Sequence, residues 1–206
     1  MSGVTIYMEG GGDSKDQKAQ LRQGMSQFLA TLKEQARAKN WKWKLTPCGG
    51  RQAAHEAFLN ARRRPAAGEL IVLLVDSEFP VTAVSRAAHL RDREGDGWIL
   101  TGVSEDHIHL MVQAMESWIV ADPDALADYY GQKFQRNALP ARLNLEEEPK
   151  ADCASKLSVA TRPTQKGEYQ KIRHAAELLA LIASAKVRAR CPHAEIMFST
   201  LISLIA

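Results

Sequence analysis

The first 120 residues alternate apolar runs with amphipathic stretches. The run Val4 to Met8 is β-branched and aromatic, which predicts a buried strand. Leu70 to Val75 is apolar without alternation, as in a strand that is covered on both faces of a parallel sheet. Residues 41–45 alternate apolar side chains with lysines and predict a half-buried strand, and His107 to Val112 predicts a fourth strand.

The segments between these strands carry apolar residues at spacings of three and four, which is the stripe of an amphipathic helix. The spacing predicts helices from Ser14 through Ala36, over Gln52 to Arg64 and around Thr82 to Arg93. Strands that alternate with helices indicate an α/β fold with a parallel sheet and right-handed crossovers.

The pattern after residue 120 becomes mainly helical. Asp122 before Pro123 predicts a helix start and Gly131 its end. Residues 132–165 lack clear periodicity, which predicts loop or irregular structure. Two further helices are predicted, from Tyr169 to Ile182 and from Pro192 to Ile205.

Composition is consistent with one globular domain and an appendage. The chain has 206 residues, 45% of them hydrophobic, which excludes disorder as a description of the whole. We expect an α/β domain over residues 1–130, with a mainly helical C-terminal extension over 131–206 packed on it. The longest apolar run is far shorter than the roughly 20 residues of a membrane span, and no secretory signal is visible. A cytoplasmic protein is therefore expected, and its three separated cysteines predict reduced thiols.

Acidic residues follow two of the predicted strands. Glu9 follows the first strand, and Asp76 and Glu78 follow the third. Because the carboxyl ends of parallel strands form one functional edge, these carboxylates should converge, and their repulsion favours a bound cation such as Mg²⁺ or Mn²⁺. A single acid after a strand is usually a helix cap or a turn residue. Because acids follow two of the strands, a metal site and this structural alternative have equal weight.

Gly10, Gly11 and Gly12 follow Glu9 directly. They permit positive φ angles and close backbone approach, so a phosphate could rest on the amides at the start of the next helix. The segment matches neither the dinucleotide-binding motif nor the P-loop, and a tight turn explains the three glycines equally well.

Other polar residues are candidates with strong structural alternatives. Asp13 and Glu116 are reserve metal ligands, although a helix cap or a surface acid is the more usual role for Glu116. His107 and His109 alternate on one predicted strand, which could suit a metal, but such pairs are more often structural. The net charge is only +3, yet bases outnumber acids from residue 166 to 190 and could contact phosphate; Arg62 to Arg64 more simply form a solvated face.

Several segments together resemble a family of small bacterial toprim-like proteins of poorly defined function. They are residues 4–14, 70–78, 109–118 with 121–123, 166–171 and the helix from His174. Topoisomerases, DnaG-type primases and the nucleases of the OLD group share the toprim fold, a small parallel sheet with flanking helices. In that group a glutamate after the first strand and an Asp-x-Asp after the third hold Mg²⁺.

The resemblance assigns Glu9 to the glutamate and Asp76 and Glu78 to the two aspartates, with Glu78 a departure from the usual aspartate. It implies a Mg²⁺-dependent nuclease that attacks a phosphodiester in line, with Asp76 and Glu78 holding one ion. Glu9 would be an acid–base group or a ligand to a second ion. The resemblance also favours Lys166 and Lys171 as phosphate-binding residues.

The same resemblance admits a role in phage defence beside an ATPase of the AAA or ABC type, which another polypeptide would supply because this chain lacks a Walker motif. Two alternatives stay open. One is a non-catalytic metal-binding or regulatory subunit, and the other is a phosphotransfer enzyme acting on a small nucleotide.

Overall fold

The computed structural model describes residues 2–206 and contains a four-stranded, all-parallel sheet in the order β2-β1-β3-β4. The strands are β1 (Gly3–Met8), β2 (Lys42–Pro47), β3 (Glu69–Asp76) and β4 (Ile108–Met111). The predicted α/β class with a parallel sheet is confirmed. β1 and β3 are central neighbours, and their register pairs Met8 with Leu74, so their carboxyl ends lie side by side.

Ten α-helices connect and flank these strands within residues 2–206. They are α1 (Lys15–Phe28), α2 (Ala30–Ala38), α3 (Arg51–Arg63), α4 (Arg86–Asp92), α5 (Met115–Ile119), α6 (Pro123–Tyr130), α7 (Lys150–Thr161), α8 (Lys171–Leu181), α9 (Ser184–Arg190) and α10 (Pro192–Ile205). None of the helices in this part of the chain is both long and apolar enough to cross a membrane.

The two faces of the sheet are covered by separate apolar clusters. On β3, Val72 and Leu74 belong to a cluster that contains α1, α2 and the C-terminal helices, whereas Ile71, Leu73 and Val75 pack with α3 and α4. Helices on both faces explain why β3 is apolar at successive positions, as the sequence predicts.

The C-terminal helices share the first of these clusters with the sheet. Trp118 of α5 is fully buried and stacks on Phe28 of α1 at a centroid distance of 5.1 Å. Gly24 of α1 lies directly against α8, since a Cβ added there would be 2.1 Å from the carbonyl oxygen of Ala176. The helical region after residue 130 is therefore packed on the α/β part through a continuous core.

The predicted irregular structure over residues 132–165 is wrong where α7 forms. The buried residues of α7 are Cys153, Leu157, Ala160 and Thr161, which have helical spacing but are mostly small or polar. A stripe of that composition has little apolar contrast, so periodicity does not reveal it. The short helices α5 and α9 were not predicted for a related reason, because five and seven residues span too few turns to show a period.

The boundaries of three predicted elements also change. The long helix after Ser14 is two helices, which meet at Leu29. The helix predicted around residues 82–93 is restricted to α4, and His107 lies in a 3-10 turn (Glu105–His107) before β4 rather than on the strand. The helix start at Asp122 and its end at Gly131 are confirmed.

Candidate metal and phosphate site

Glu9, Asp76 and Glu78 come together at the carboxyl ends of β1 and β3. Each offers a carboxylate oxygen, and these three oxygens lie within 4.8 Å of one another. Glu9 directly follows β1, Asp76 ends β3, and Glu78 lies two residues further on. The register of the two central strands therefore creates the cluster, which we call the acid cluster.

The turn after β3 holds Glu78 in a fixed backbone conformation. Glu78 has a φ of 69°, in the left-handed region that residues other than glycine rarely adopt. Its amide donates to the carbonyl of Gln113 at 2.8 Å, and the Ser77 amide donates to the carbonyl of Met111 at 3.0 Å. These bonds tie the turn to the end of β4 and keep the Glu78 carboxylate beside the other two.

Burial raises the pKa values of the two acids that follow the central strands. For Asp76, which is almost fully buried, Lys171 opposes the rise. For Glu9, burial and the neighbouring charge of Asp76 raise the pKa, and Arg51 opposes them. The directions are those expected where carboxylates are crowded together out of water, and a cation would relieve both effects.

Each acid of the cluster is paired with a base on a different helix. Arg51 of α3 lies 3.2 Å from Glu9, Lys171 of α8 lies 3.0 Å from Asp76, and Lys150 of α7 lies 2.6 Å from Glu78. Three bases thus face three acids. Burial alone would lower the pKa of Lys171, but the charges of Asp76 and Glu116 outweigh it and raise that pKa.

Arg51 and Lys150 were missed by the sequence analysis. Arg51 had a usable signal, because it follows two glycines at the end of β2 and begins α3, so it stands at the same edge of the sheet as Glu9. Lys150 had none, since it begins a helix that the sequence pattern does not show.

The three glycines after Glu9 form a loop at the mouth of this site. All have positive φ, 103° at Gly10, 88° at Gly11 and 58° at Gly12. Gly10 exchanges two backbone hydrogen bonds with Gly49, of 2.8 and 2.9 Å, which pins the loop. Within residues 2–206 the amides of Gly11 and Gly12 donate no hydrogen bond, so they are available to an anion.

A pocket of about 210 Å³ joins two acids of the cluster, Glu9 and Asp76, to this loop. Glu9, the three glycines, Asp76 and Lys171 line it, and Leu21, Met115 and Ile172 add apolar wall. One concavity therefore offers carboxylate oxygens, free amides and an ammonium group.

The two reserve acids do not join the acid cluster. Asp13 is exposed on the loop before α1. Glu116 is neither a helix cap nor a surface acid, so that prediction is wrong. It is buried and accepts hydrogen bonds from Tyr169 Oη at 3.1 Å and Lys171 Nζ at 3.5 Å, so it reaches the cluster only through Lys171.

Lys166 and the histidines also lie outside the site. The Nζ of Lys166 is 4.4 Å from the ring centroid of Tyr129 and Lys166 lines another cleft, so the structure does not bring it into the pocket with Lys171, and its binding to phosphate stays a prediction. His107 Nδ1 bonds the carbonyl of Ile71 at 2.6 Å, and His109 Nε2 bonds that of Asp106 at 3.1 Å. Both histidines are engaged by backbone, which favours the structural alternative.

The chain matches a protein-family model over most of its length. A family model described as "Domain of unknown function (DUF4276)" matches residues 8–202. No curated protein and no solved structure matches the chain.

Proposed function

We propose that this chain, which belongs to the DUF4276 family, is a divalent-cation-dependent phosphodiesterase that hydrolyses nucleic acid. The observation that carries the proposal is the convergence of Glu9, Asp76 and Glu78 within 4.8 Å. Beside them, in the same pocket, lie a glycine loop with free amides and a lysine, which are groups that bind phosphate. The resemblance of the same segments to toprim nucleases supports this chemistry.

The donor set of the acid cluster fits Mg²⁺ or Mn²⁺. Carboxylates are the hard oxygen ligands that these ions prefer. Around one octahedral ion with Mg–O bonds of about 2.1 Å, at least two of the three pairs of ligand oxygens lie about 3.0 Å apart. The three oxygens of the acid cluster, which lie within 4.8 Å of one another, would therefore draw together around the ion or contact it partly through water.

Glu9 has one oxygen committed to the protein and one free. Its Oε2 accepts from Arg51 at 3.2 Å and from the Asp76 amide at 3.3 Å, whereas Oε1 accepts no hydrogen bond from residues 2–206. Arg51 therefore orients the Glu9 carboxylate through Oε2. The other oxygen, Oε1, stays free to contact a bound ligand. Glu9 can serve there as a metal ligand or as a proton acceptor, the two roles that the sequence analysis left open.

The remaining groups would bind and orient the substrate. A cation held by Asp76 and Glu78 would polarise a phosphodiester and lower the pKa of attacking water. The amides of Gly11 and Gly12 would donate hydrogen bonds to phosphate oxygens at the entrance. The pocket of about 210 Å³ is smaller than the roughly 300–1,000 Å³ typical of small-ligand sites. The small volume favours a polymeric substrate that inserts a single phosphate group. It disfavours a substrate that is a whole small nucleotide.

The test is cleavage of plasmid, single-stranded DNA and transfer RNA with Mg²⁺, with Mn²⁺ and with chelator. Glu9→Gln and Asp76→Asn should each lower the rate at least about 100-fold. Glu34→Gln, at an exposed acid of α2, is the matched control and should cleave like the wild type. Undiminished cleavage in both site variants would show that this site is not responsible. The toprim resemblance extends the proposal to phage defence beside an ATPase of the AAA or ABC type. A parallel reaction should therefore contain such an ATPase.

One observation favours a second candidate, a non-catalytic metal-binding or regulatory subunit. The three acids already face three bases, so the acid cluster is compensated within the protein. Metal binding without cleavage of any substrate, with and without an ATPase partner, would support this alternative.

A further inference from the structure

The three bases around the acid cluster are held very differently. Arg51 uses its whole guanidinium, because Nε and Nη2 bond the carboxylate of Asp96 at 2.8 and 2.6 Å, and Nη1 bonds both Glu9 and the carbonyl of Asp76. It also lies over the ring of Trp98 at 4.8 Å, and its side chain is only 13% exposed. Arg51 is therefore held in place by these contacts, and it is a positioning residue for the Glu9 carboxylate.

Lys150 and Lys171 are held loosely by comparison. Lys150 makes one side-chain bond, to Glu78, and its side chain is 38% exposed. Lys171 bonds Asp76 and, at 3.5 Å, Glu116, and its side chain is 41% exposed. Because each side chain is more than a third exposed, both have room to turn towards water.

These two lysines and a divalent cation would compete for the same carboxylates. The Nζ of Lys171 lies 3.0 Å from Asp76 Oδ2, and the other oxygen, Oδ1, already accepts from the Met115 amide at 2.9 Å. An ion at the cluster would lie at close range to both ammonium groups, where like charges repel strongly out of bulk water. Binding of the ion would therefore displace the ammonium groups from the acids.

We infer that Lys150 and Lys171 are exchangeable counter-ions, which hold Glu78 and Asp76 when no divalent cation is bound and yield them when one binds. Lys171 lines the pocket together with the glycine loop, so it would then hold a phosphate group of the substrate. The inference rests on the proposed function and names the side chain that recognises the phosphate.

The experiment measures Mn²⁺ affinity and thermal stability of the full chain carrying Lys171→Met or Lys150→Met. Methionine keeps most of the side-chain volume and removes the charge. Each variant should melt at a lower temperature than the wild type without metal and recover that loss when Mn²⁺ is added. Each should bind Mn²⁺ about tenfold more tightly by calorimetry, because the competing ammonium is gone. With Mg²⁺ saturating, binding of inorganic phosphate by Lys171→Met should weaken by a similar factor.

Lys156→Met is the matched control. Lys156 is another lysine of α7, 45% exposed and paired with a buried glutamate, Glu148, which is outside the acid cluster. Its substitution should leave Mn²⁺ and phosphate affinity unchanged. If Lys171→Met does not fold even with Mn²⁺, Lys150→Met decides the question, because its ion pair is more exposed.

The outcomes separate this inference from the proposed function. Wild-type protein that binds Mn²⁺, together with lysine variants that bind it equally or more weakly, would overturn the exchange and leave the metal site intact. Variants that gain Mn²⁺ binding absent from the wild type would support the exchange. No Mn²⁺ binding by any of the proteins would overturn both.

Discussion

The contact between α1 and α8 at Gly24 gives a prediction whose size follows from the structure. In Gly24→Ala the new Cβ would lie 2.1 Å from the Ala176 carbonyl oxygen, 2.9 Å from its carbon and 3.1 Å from its Cα. These are backbone atoms, so no side chain can rotate away, and the helices must separate by roughly 1 Å to restore a normal contact. Overpacking of this kind costs about 1–3 kcal/mol, and the better helix propensity of alanine returns up to about 1 kcal/mol.

We therefore expect Gly24→Ala to lower the free energy of unfolding by about 2 kcal/mol in urea titration. For a chain of this size that corresponds to roughly 4–8 °C in melting temperature. Because Lys171 begins α8, Mn²⁺ affinity should change as well. Gln23→Ala, at the exposed neighbouring position of α1, should change stability by less than about 0.5 kcal/mol. A Gly24→Ala protein as stable as the wild type would refute backbone contact between the two helices.

Three further predictions address other parts of the molecule. Burial and the nearby charge of Arg86 lower the pKa of His109 to about 3. The unfolded chain, in which the pKa of histidine is about 6.5, therefore binds this proton more readily than the folded protein does. The contribution of His109 to the free energy of unfolding is present above about pH 6.5 and is lost as the pH falls from about 6.5 towards about 3. Between pH 7 and pH 5 urea titration should show that the wild type loses about 2 kcal/mol more than His109→Gln; equal losses would contradict the lowered pKa. Glu78→Asn should keep the turn, because asparagine tolerates positive φ, and should lose only the ion pair with Lys150, so that without metal it melts no lower than Lys150→Met. Its Mn²⁺ affinity by calorimetry should fall at least about tenfold, and unchanged affinity would remove Glu78 from the site. Arg51→Met leaves the buried carboxylate of Asp96 with only the ion pair to Arg93, so it should lower the free energy of unfolding by at least about 2 kcal/mol in urea titration. An unchanged free energy would show that the Arg51 side chain does not stabilise this part of the fold.

The sheet and the acid cluster were predictable from the sequence because both depend on local patterns. The uninterrupted apolar run of β3 indicates a strand covered on both faces, and an acid directly after such a strand has its place at the edge of the sheet. Once Glu9 and Asp76 end parallel strands, only the strand order is needed to bring them together, and β1 and β3 are neighbours.

The partners of the three bases were not predictable, because each base pairs with an acid far away along the chain, and even the signal at Arg51 gives its edge of the sheet but not its partner. Arg51 is 42 residues from Glu9, Lys150 is 72 from Glu78, and Lys171 is 95 from Asp76. Periodicity gives the face of a helix that is buried but not the partner at its end. Lys171 was named only because a family resemblance covered it, and Glu116 was misplaced because its buried partners come from α8 and the residues just before it.

The strand β2 has a consequence for how the molecule behaves at high concentration. It is an edge strand of the sheet, and an open edge offers unpaired backbone groups to the edge of another copy. Lys42 and Lys44 are exposed along β2 and Pro47 ends it, while the opposite edge, β4, has only four residues. Charge, proline and shortness at the two edges oppose the growth of the sheet from one molecule into the next, so the chain resists aggregation through its strands.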